Sequence, residues 1–472
     1  GRRLAWLTWD HPQMPWDGTQ LWIGALGADG SVTEPRCVAG GPQESVFQPQ
    51  WSPDGVLHFC SDRSGWWNLY RLGADGTAQA QALTQLDDGE IGYPSWVFAM
   101  SRYAFLDDGR IACVVTRAAT DTLELLDPGS GDLRPVELEW SEYEATVFAA
   151  GGGRLAFAAQ SPRTPVTLVV LDPATQREEV ARRSLDSELD ADAISVPRAI
   201  EFQTGDGDVA HAFYYPPASA EWEAPPAELP PLRVICHGGP TAHSGPALAF
   251  TVQFFAQRGI GVLDVNYRGS SGFGRAYRRL LNGRWGDIDW RDCVAAARHL
   301  GEAGEIDPAR TWIEGGSAGG YVVLCALAFD PTSLGAGVSL FGVADAEALA
   351  TDTHKFESRY LDTLIGPYPE RADLYRERSP IHSVDRIERP LLLLQGSEDE
   401  VVPPSQAEMT VAALDRKGVP YAYILFEGEG HGFRKAENIR RTLEAELSFA
   451  GRLFGFEPAD ELAPLEIVHL RD

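Results

Sequence analysis

The chain has 472 residues, 44% of them hydrophobic and 23% charged, enough apolar material for two ordinary domains with a large core. Its 68 acidic residues exceed its 40 basic ones by 28, which argues against a nucleic-acid partner because phosphate would be repelled. No apolar run reaches the roughly 18 residues of a membrane span, and the six cysteines are scattered without a CxxC or zinc spacing, so no membrane, no metal and no cofactor are expected, in a reducing, cytoplasmic setting.

Residues 1–195 read as short alternating apolar runs separated by turn signals. LAWLTWD and TQLWIGAL come first, split by a Pro/Asp/Gly turn. FQPQWSPDGVLHFCSDRSGWWNLYRL follows, then YPSWVFAMSRYAFLDDGRIACVVTRAATDTLELLD, then ATVFAAGGGRLAFAAQSPRTPVTLVVLD. Each unit reads strand, Asp-Gly or Gly-Gly turn, strand, loop, strand. The unit recurs about every 45–55 residues, the range for propeller blades, and there are about four. Repeated turn phrases such as WSPDG and SDRSG favour blades over a single sandwich. The chain opens without Met and in mid-pattern, so this β-propeller is expected to be N-terminally truncated, an open arc short of three or four blades.

From residue 196 to 472 the rhythm changes. LRVICHGG, GVLDVNYRG, RTWIEGG, GAGVSLFG, PLLLLQG and AYILFEG read as strands. Amphipathic stretches such as DWRDCVAAARHLGEAG, SQAEMTVAALDRKG and ENIRRTLEAELSFAGRLFG lie between them. Near-continuous apolar strands joined by helices predict a doubly wound, mostly parallel sheet covered on both faces. The proline-rich stretch 216–231 is expected to be a hairpin loop inside this second domain, between AHAFYYPP and LRVICHGG.

IEGGSAGGY sets one serine among four glycines. RTWIE reads as a strand and AGGYVVLCALAF as a helix, which puts Ser317 on the corner between them. That is the nucleophile elbow of an α/β hydrolase. Gly315 and Gly319 allow the flanking segments to approach closely, and the helix N-terminus favours negative charge near the hydroxyl. A phosphate loop would want a Lys or a GxGxxG spacing, and neither is present.

Such a serine needs a base, and the base an orienting acid, in the chain order Ser, Asp or Glu, His. LLLLQGSEDEVVP places Asp399 straight after an apolar strand, with Glu398 and Glu400 beside it. YILFEGEGHGF places His431 after the next strand. His354 and His382 lack that strand-end setting and read as surface residues. For the oxyanion hole, Ala318 follows the nucleophile, and VICHGGPTAH offers Gly238 and Gly239 after an earlier strand.

The set HGGPT, DVNYRGSSGFGRAY, WGDIDWRDC, GGSAGGY, GSEDEVVPPSQ and EGEGHGF resembles the prolyl oligopeptidase family, in particular its acylaminoacyl-peptidase and bacterial dipeptidyl/aminopeptidase branch. The resemblance covers the second half, and WSPDG and SDRSG extend it into the first. It implies Ser317, Asp399 and His431 as the triad and the Gly239 and Ala318 N–H groups as the oxyanion hole. His237 stands where other branches carry a tyrosine. The similarity also implies an apolar substrate pocket beyond SLFGVAD, lined by Val343 and Tyr360. No counterpart of the glutamate pair that binds a substrate amine in dipeptidyl peptidases is located; Glu44 and Glu90 sit in blade loops and read as solvated acids.

The expected function is a serine peptidase of aminopeptidase or acylaminoacyl-peptidase type, working through an acyl-enzyme on Ser317 with an oligopeptide or acyl-aminoacyl substrate. A carboxylesterase or amidase for small acyl compounds is the alternative with the same triad. A non-catalytic propeller binder conflicts with the complete Ser/Asp/His set. The sequence is compatible with a homo-oligomer.

Overall fold

The computed structural model describes residues 2–73, 79–185, 190–221, 224–225 and 227–470. The chain divides into two units. The first comprises Gly1–Ser187 with two later segments, Gly245–Leu248 and Ser271–Arg279; the second comprises Glu188–Ser244, Ala249–Ser270 and Leu280–Asp472.

Among the described residues the first unit holds four antiparallel sheets. β1 (Arg3–Thr8), β2 (Thr19–Leu26) and β3 (Val32–Gly41) make a three-stranded one. β4 (Val46–Trp51), β5 (Leu57–Ser61), β6 (Asn68–Arg71) and β7 (Gln81–Ala82) make the next. β8 (Tyr103–Phe105), β9 (Ile111–Arg117), β10 (Thr120–Leu126) and β11 (Leu133–Pro135) follow, then β12 (Glu142–Gly151), β13 (Arg154–Gln160), β14 (Thr167–Asp172) and β15 (Arg177–Arg183). Every strand pairs with its sequence neighbours, so each sheet is a meander of the propeller-blade kind. Inward residues of successive sheets share cores. Leu21 and Ile23 pack with Leu57, Phe59 and Tyr70; Leu123 and Leu125 pack with Phe148, Phe157 and Val169.

One reading of this half changes. Glu90 is not solvated. It is buried, its Oε1 accepts the Gly272 N–H at 2.8 Å, and Arg278 lies 3.9 Å away. Glu44 is bound by Ser61 and Arg63, each at 2.6 Å. The Ser271–Arg279 segment is held by Asp62, whose Oδ2 accepts from both Arg275 and Arg278.

The second unit is built on β16 (Arg198–Gln203), β17 (Val209–Tyr215), β18 (Leu232–Cys236), β19 (Gly261–Asn266), β20 (Thr311–Gly316), β21 (Ala336–Leu340), β22 (Leu391–Gly396) and β23 (Tyr421–Phe426), in the spatial order β16-β17-β19-β18-β20-β21-β22-β23. β16, β17 and β19 pair antiparallel; every later pairing is parallel. The helices are α1 (Phe250–Ala256), α2 (Gly274–Arg278, counted with the first unit), α3 (Ile288–Glu302), α4 (Ala318–Phe329), α5 (Ala346–Thr351), α6 (Tyr360–Leu364), α7 (Ala372–Arg378), α8 (Pro404–Lys417) and α9 (Ala436–Phe454). β22 is buried along its whole length and α4 from Ala318 to Ala328, as expected of elements covered on every side.

The stretch 216–231 is not a hairpin. β19 lies between β17 and β18, so the chain crosses over a strand instead of folding back beside it. A parallel β18–β19 pair needs a crossover helix, here α1, and that helix delivers β19 into the gap. Residues 222, 223 and 226 of the stretch lie outside the described residues. A buried ion cluster ties α9 to the sheet. Arg233 on β18 meets Glu446 at 2.6 Å and Glu314 at 3.1 Å, and Trp312 donates to Glu446 at 2.8 Å. Breaking such a buried pair costs about 3–5 kcal/mol, because a charge is left uncompensated.

Candidate active site

β18, β20, β22 and β23 run parallel, so the loops after their C-terminal ends collect on one edge of the sheet. Ser317 follows β20, Asp399 follows β22 and His431 follows β23. The turn at Ser317 is tight enough to force its φ to +56°, a conformation that costs a non-glycine residue about 1–3 kcal/mol. The surrounding packing holds it. A Cβ on Gly319 would come within 2.1 Å of the Cys236 carbonyl oxygen, and one on Gly315 within 2.5 Å of the Gly319 backbone. Only bare backbone lets β18, the elbow and α4 come so close.

His431 bridges the other two residues. Its Nε2 lies 2.9 Å from Ser317 Oγ and its Nδ1 2.9 Å from Asp399 Oδ2. Asp399 is buried and receives the Val401 and Val402 N–H groups on Oδ1, at 2.9 and 2.8 Å. The amide of Gln395, at the end of β22, donates to Oδ2 at 3.3 Å and to the Val402 carbonyl at 3.0 Å. The Phe341 ring and the imidazole stand in a T-shaped contact, centroids 4.8 Å apart. Glu398 and Glu400 point to solvent, and His354 and His382 are exposed, so none of these joins the three.

A cleft opens at Ser317. Gly239, Ala318, Val343 and Tyr360 all line it; Gly238 does not. Ala318 is the first residue of α4, so its N–H has no carbonyl one turn back. Val343 and Tyr360 are both buried in the wall. Tyr360 is also a strut: its hydroxyl accepts the Thr241 N–H at 3.1 Å and lies 2.6 Å from Thr241 Oγ1.

The His237 ring stacks on Tyr267, centroids 4.3 Å apart, with Nε2 2.8 Å from Ser270 Oγ and Nδ1 2.9 Å from the Gly238 carbonyl. Burial pushes its pKa down to about 4, so the ring is neutral and fixes the Gly238–Gly239 loop without adding charge. Two other motifs are structural. Arg268 of DVNYRG is buried, and its Nη2 donates to Asp292 Oδ1 at 2.8 Å. Asp289 of WGDIDWRDC is buried and accepts the Gly286 and Trp290 N–H groups, both at 3.0 Å; burial lifts its pKa to about 7.

Sequence reasoning missed Gln395, Phe341, Trp285, Glu357 and Thr353. Gln395 carried a signal, a lone amide closing the apolar run LLLLQG. Trp285, Glu357 and Thr353 reach the cleft from the segments around α3 and α5–α6, which have no strand-end pattern to mark them. Among the described residues no group of three or more His, Cys, Asp or Glu is placed to hold a metal, and no helix is long and apolar enough to cross a membrane.

The family model "Prolyl oligopeptidase family" matches residues 246–457. A crystal structure of puromycin hydrolase is 43% identical, with a TM-score of 0.94 over 99% of this chain and 70% of that one. The structure of a Mycobacterium tuberculosis puromycin-hydrolyzing peptidase is 42% identical, with a TM-score of 0.95 over the same shares. Dipeptidyl aminopeptidase BIII of Pseudoxanthomonas mexicana is 34% identical over 213 residues, 44% of this chain and 31% of that protein. The match thus spans less than a third of that curated relative's length.

Proposed function

The chain belongs to the prolyl oligopeptidase family of serine peptidases, and from that premise we propose that it hydrolyses short peptides through an acyl-enzyme on Ser317. The unbroken hydrogen-bonded series Asp399–His431–Ser317, with both heavy-atom distances at 2.9 Å, carries the reading. His431 Nε2 takes the Ser317 proton as Oγ attacks the scissile carbonyl carbon. The Asp399 carboxylate holds the imidazole with Nδ1–H toward itself and stabilises the imidazolium. The carbonyl oxygen gains negative charge and is received by the Gly239 and Ala318 N–H groups. The imidazolium then gives its proton to the departing amine as the C–N bond breaks. A water molecule repeats the sequence on the ester, releasing the acid and restoring Ser317. Val343 and Tyr360 belong to the wall against which the acyl residue's side chain packs. In this reading residues 196–472 supply the chemistry and residues 1–195 the propeller.

The test is a substrate panel: aminoacyl, N-acyl-aminoacyl and dipeptidyl nitroanilides, puromycin, and a nitrophenyl ester, with a fluorophosphonate probe to locate the nucleophile. Amide hydrolysis that disappears with Ser317 supports the peptidase. Turnover of the ester alone would move the reading to a carboxylesterase.

A further inference from the structure

The cleft at Ser317 has apolar walls, among them Val343, Leu349, Leu361 and Leu364, yet two polar side chains also face it. Thr353 Oγ1 is buried and has no hydrogen-bond partner. The Glu357 side chain is 24% exposed, and among the described residues its ion-pair partner is His354, whose Nε2 stands 3.5 Å from Oε1, too long for a strong hydrogen bond. Among the described residues no hydrogen bond is made to Oε2. A carboxylate with one oxygen unbonded and a buried hydroxyl without a partner, in a largely apolar cleft, are costly unless a ligand supplies donors.

We propose that Glu357, with Thr353 Oγ1, anchors the free α-ammonium group of the residue whose carbonyl Ser317 attacks, so that the enzyme removes unblocked N-terminal residues. The proposal rests on the serine-peptidase reading above and sharpens it from peptidase to aminopeptidase. A primary ammonium brings three N–H donors and one positive charge, which matches two acceptors, one of them anionic. An N-acylated residue brings one N–H and no charge, and would leave the carboxylate facing a neutral amide.

Position distinguishes the α-ammonium from a basic side chain. The α-nitrogen is two bonds from the attacked carbonyl carbon; a lysine ammonium is six bonds away. Glu357 lines the same cleft as Ser317, together with Gly239 and Ala318, so its carboxylate belongs to the space in which the attacked carbonyl must lie. A carboxylate in the cleft of the nucleophile suits a cation attached next to the scissile carbonyl.

The experiment compares leucine nitroanilide with N-acetyl-leucine nitroanilide. In the wild-type enzyme the free amine is expected to be preferred. In Glu357→Gln the ratio of the two kcat/KM values, free over acetylated, is expected to fall about ten- to hundredfold, the worth of a charge-assisted hydrogen bond in a shielded site. The wild type gives a second readout that needs no variant: leucinamide should inhibit competitively, and N-acetyl-leucinamide should do so at least tenfold more weakly. An unchanged ratio in Glu357→Gln, or equal inhibition by the two amides, overturns the anchor while leaving the peptidase in place. Failure of fluorophosphonate to label Ser317, with neither nitroanilide cleaved, overturns the peptidase reading itself and the anchor with it.

Discussion

The hydroxyl of Tyr360 lies 2.6 Å from Thr241 Oγ1 and accepts the Thr241 N–H at 3.1 Å, so the first residue of α6 steadies the loop that presents Gly239. A residue singled out as a pocket wall thus also braces the loop proposed to supply an oxyanion donor. Oxyanion stabilisation depends on donors fixed before charge develops. Tyr360→Phe keeps the ring and frees the loop. It is expected to lower kcat about tenfold, the worth of one buried hydrogen bond to the loop, with a smaller change in KM. Steady-state kinetics on an aminoacyl nitroanilide checks this; a rise in KM alone would reduce Tyr360 to a wall.

Ser317→Ala should abolish acylation and lower kcat by about 10⁶, and the added loss of His431 should cost little more, because the triad works as a unit. The double variant Ser317→Ala/His431→Ala, measured beside both single variants, tests this. Losses that multiply would mean that the two residues act in separate steps.

Asp399→Asn should leave the fold intact and cost about 10⁴ in kcat, since the amide can turn the imidazole to the wrong tautomer. Gln395→Leu acts one step further out. It removes a single donor to Asp399, so a loss of about tenfold or less is expected, with circular dichroism unchanged. Equal losses in the two variants would place Gln395, not Asp399, at the centre of the orientation.

Asp289 supplies a pH signature in stability. Its native pKa, about 7, stands above the ordinary 3.8 because burial disfavours the charge. The buried carboxyl therefore holds its proton to higher pH than in the unfolded chain. Its contribution to stability is complete below about pH 4 and is lost as pH rises through 7. Asp289→Asn does not titrate, so relative to the wild type it should gain about 2–3 kcal/mol between pH 5 and pH 8. Urea unfolding at the two pH values measures the difference; a constant offset would mean that Asp289 is ionised in the native state at both.

The elbow was legible because three signals coincide at Ser317: an apolar strand before it, a helical pattern after it, and glycine wherever backbones touch. Asp399 and His431 were legible because parallel strands deliver their C-terminal loops to one edge, so each strand end is a position in space as well as in sequence. Glu357 and Thr353 had no such marker, since the short helices around them carry no periodicity that fixes which side chain faces the cleft. Glu90 was misread because its partners, Gly272 and Arg278, are about 180 residues away in the chain. The stretch 216–231 was misread because sequence adjacency favours hairpins, whereas a crossover helix places β19 in the gap.

The first unit is discontinuous in the chain, its later segments lying within the sequence of the second. Asp62 is the acceptor for Arg275 and Arg278, yet those arginines follow β16–β19 in the chain and belong to the first unit in space. No single cut in the gene separates the halves cleanly. A chain begun at residue 188 would carry two cations whose counter-charge had been left behind, and a chain ended at 187 would carry Asp62 without either. Swapping the first half for that of a relative therefore has to exchange the Ser271–Arg279 segment as well. With Gly245–Leu248 they form one heritable module written in three places.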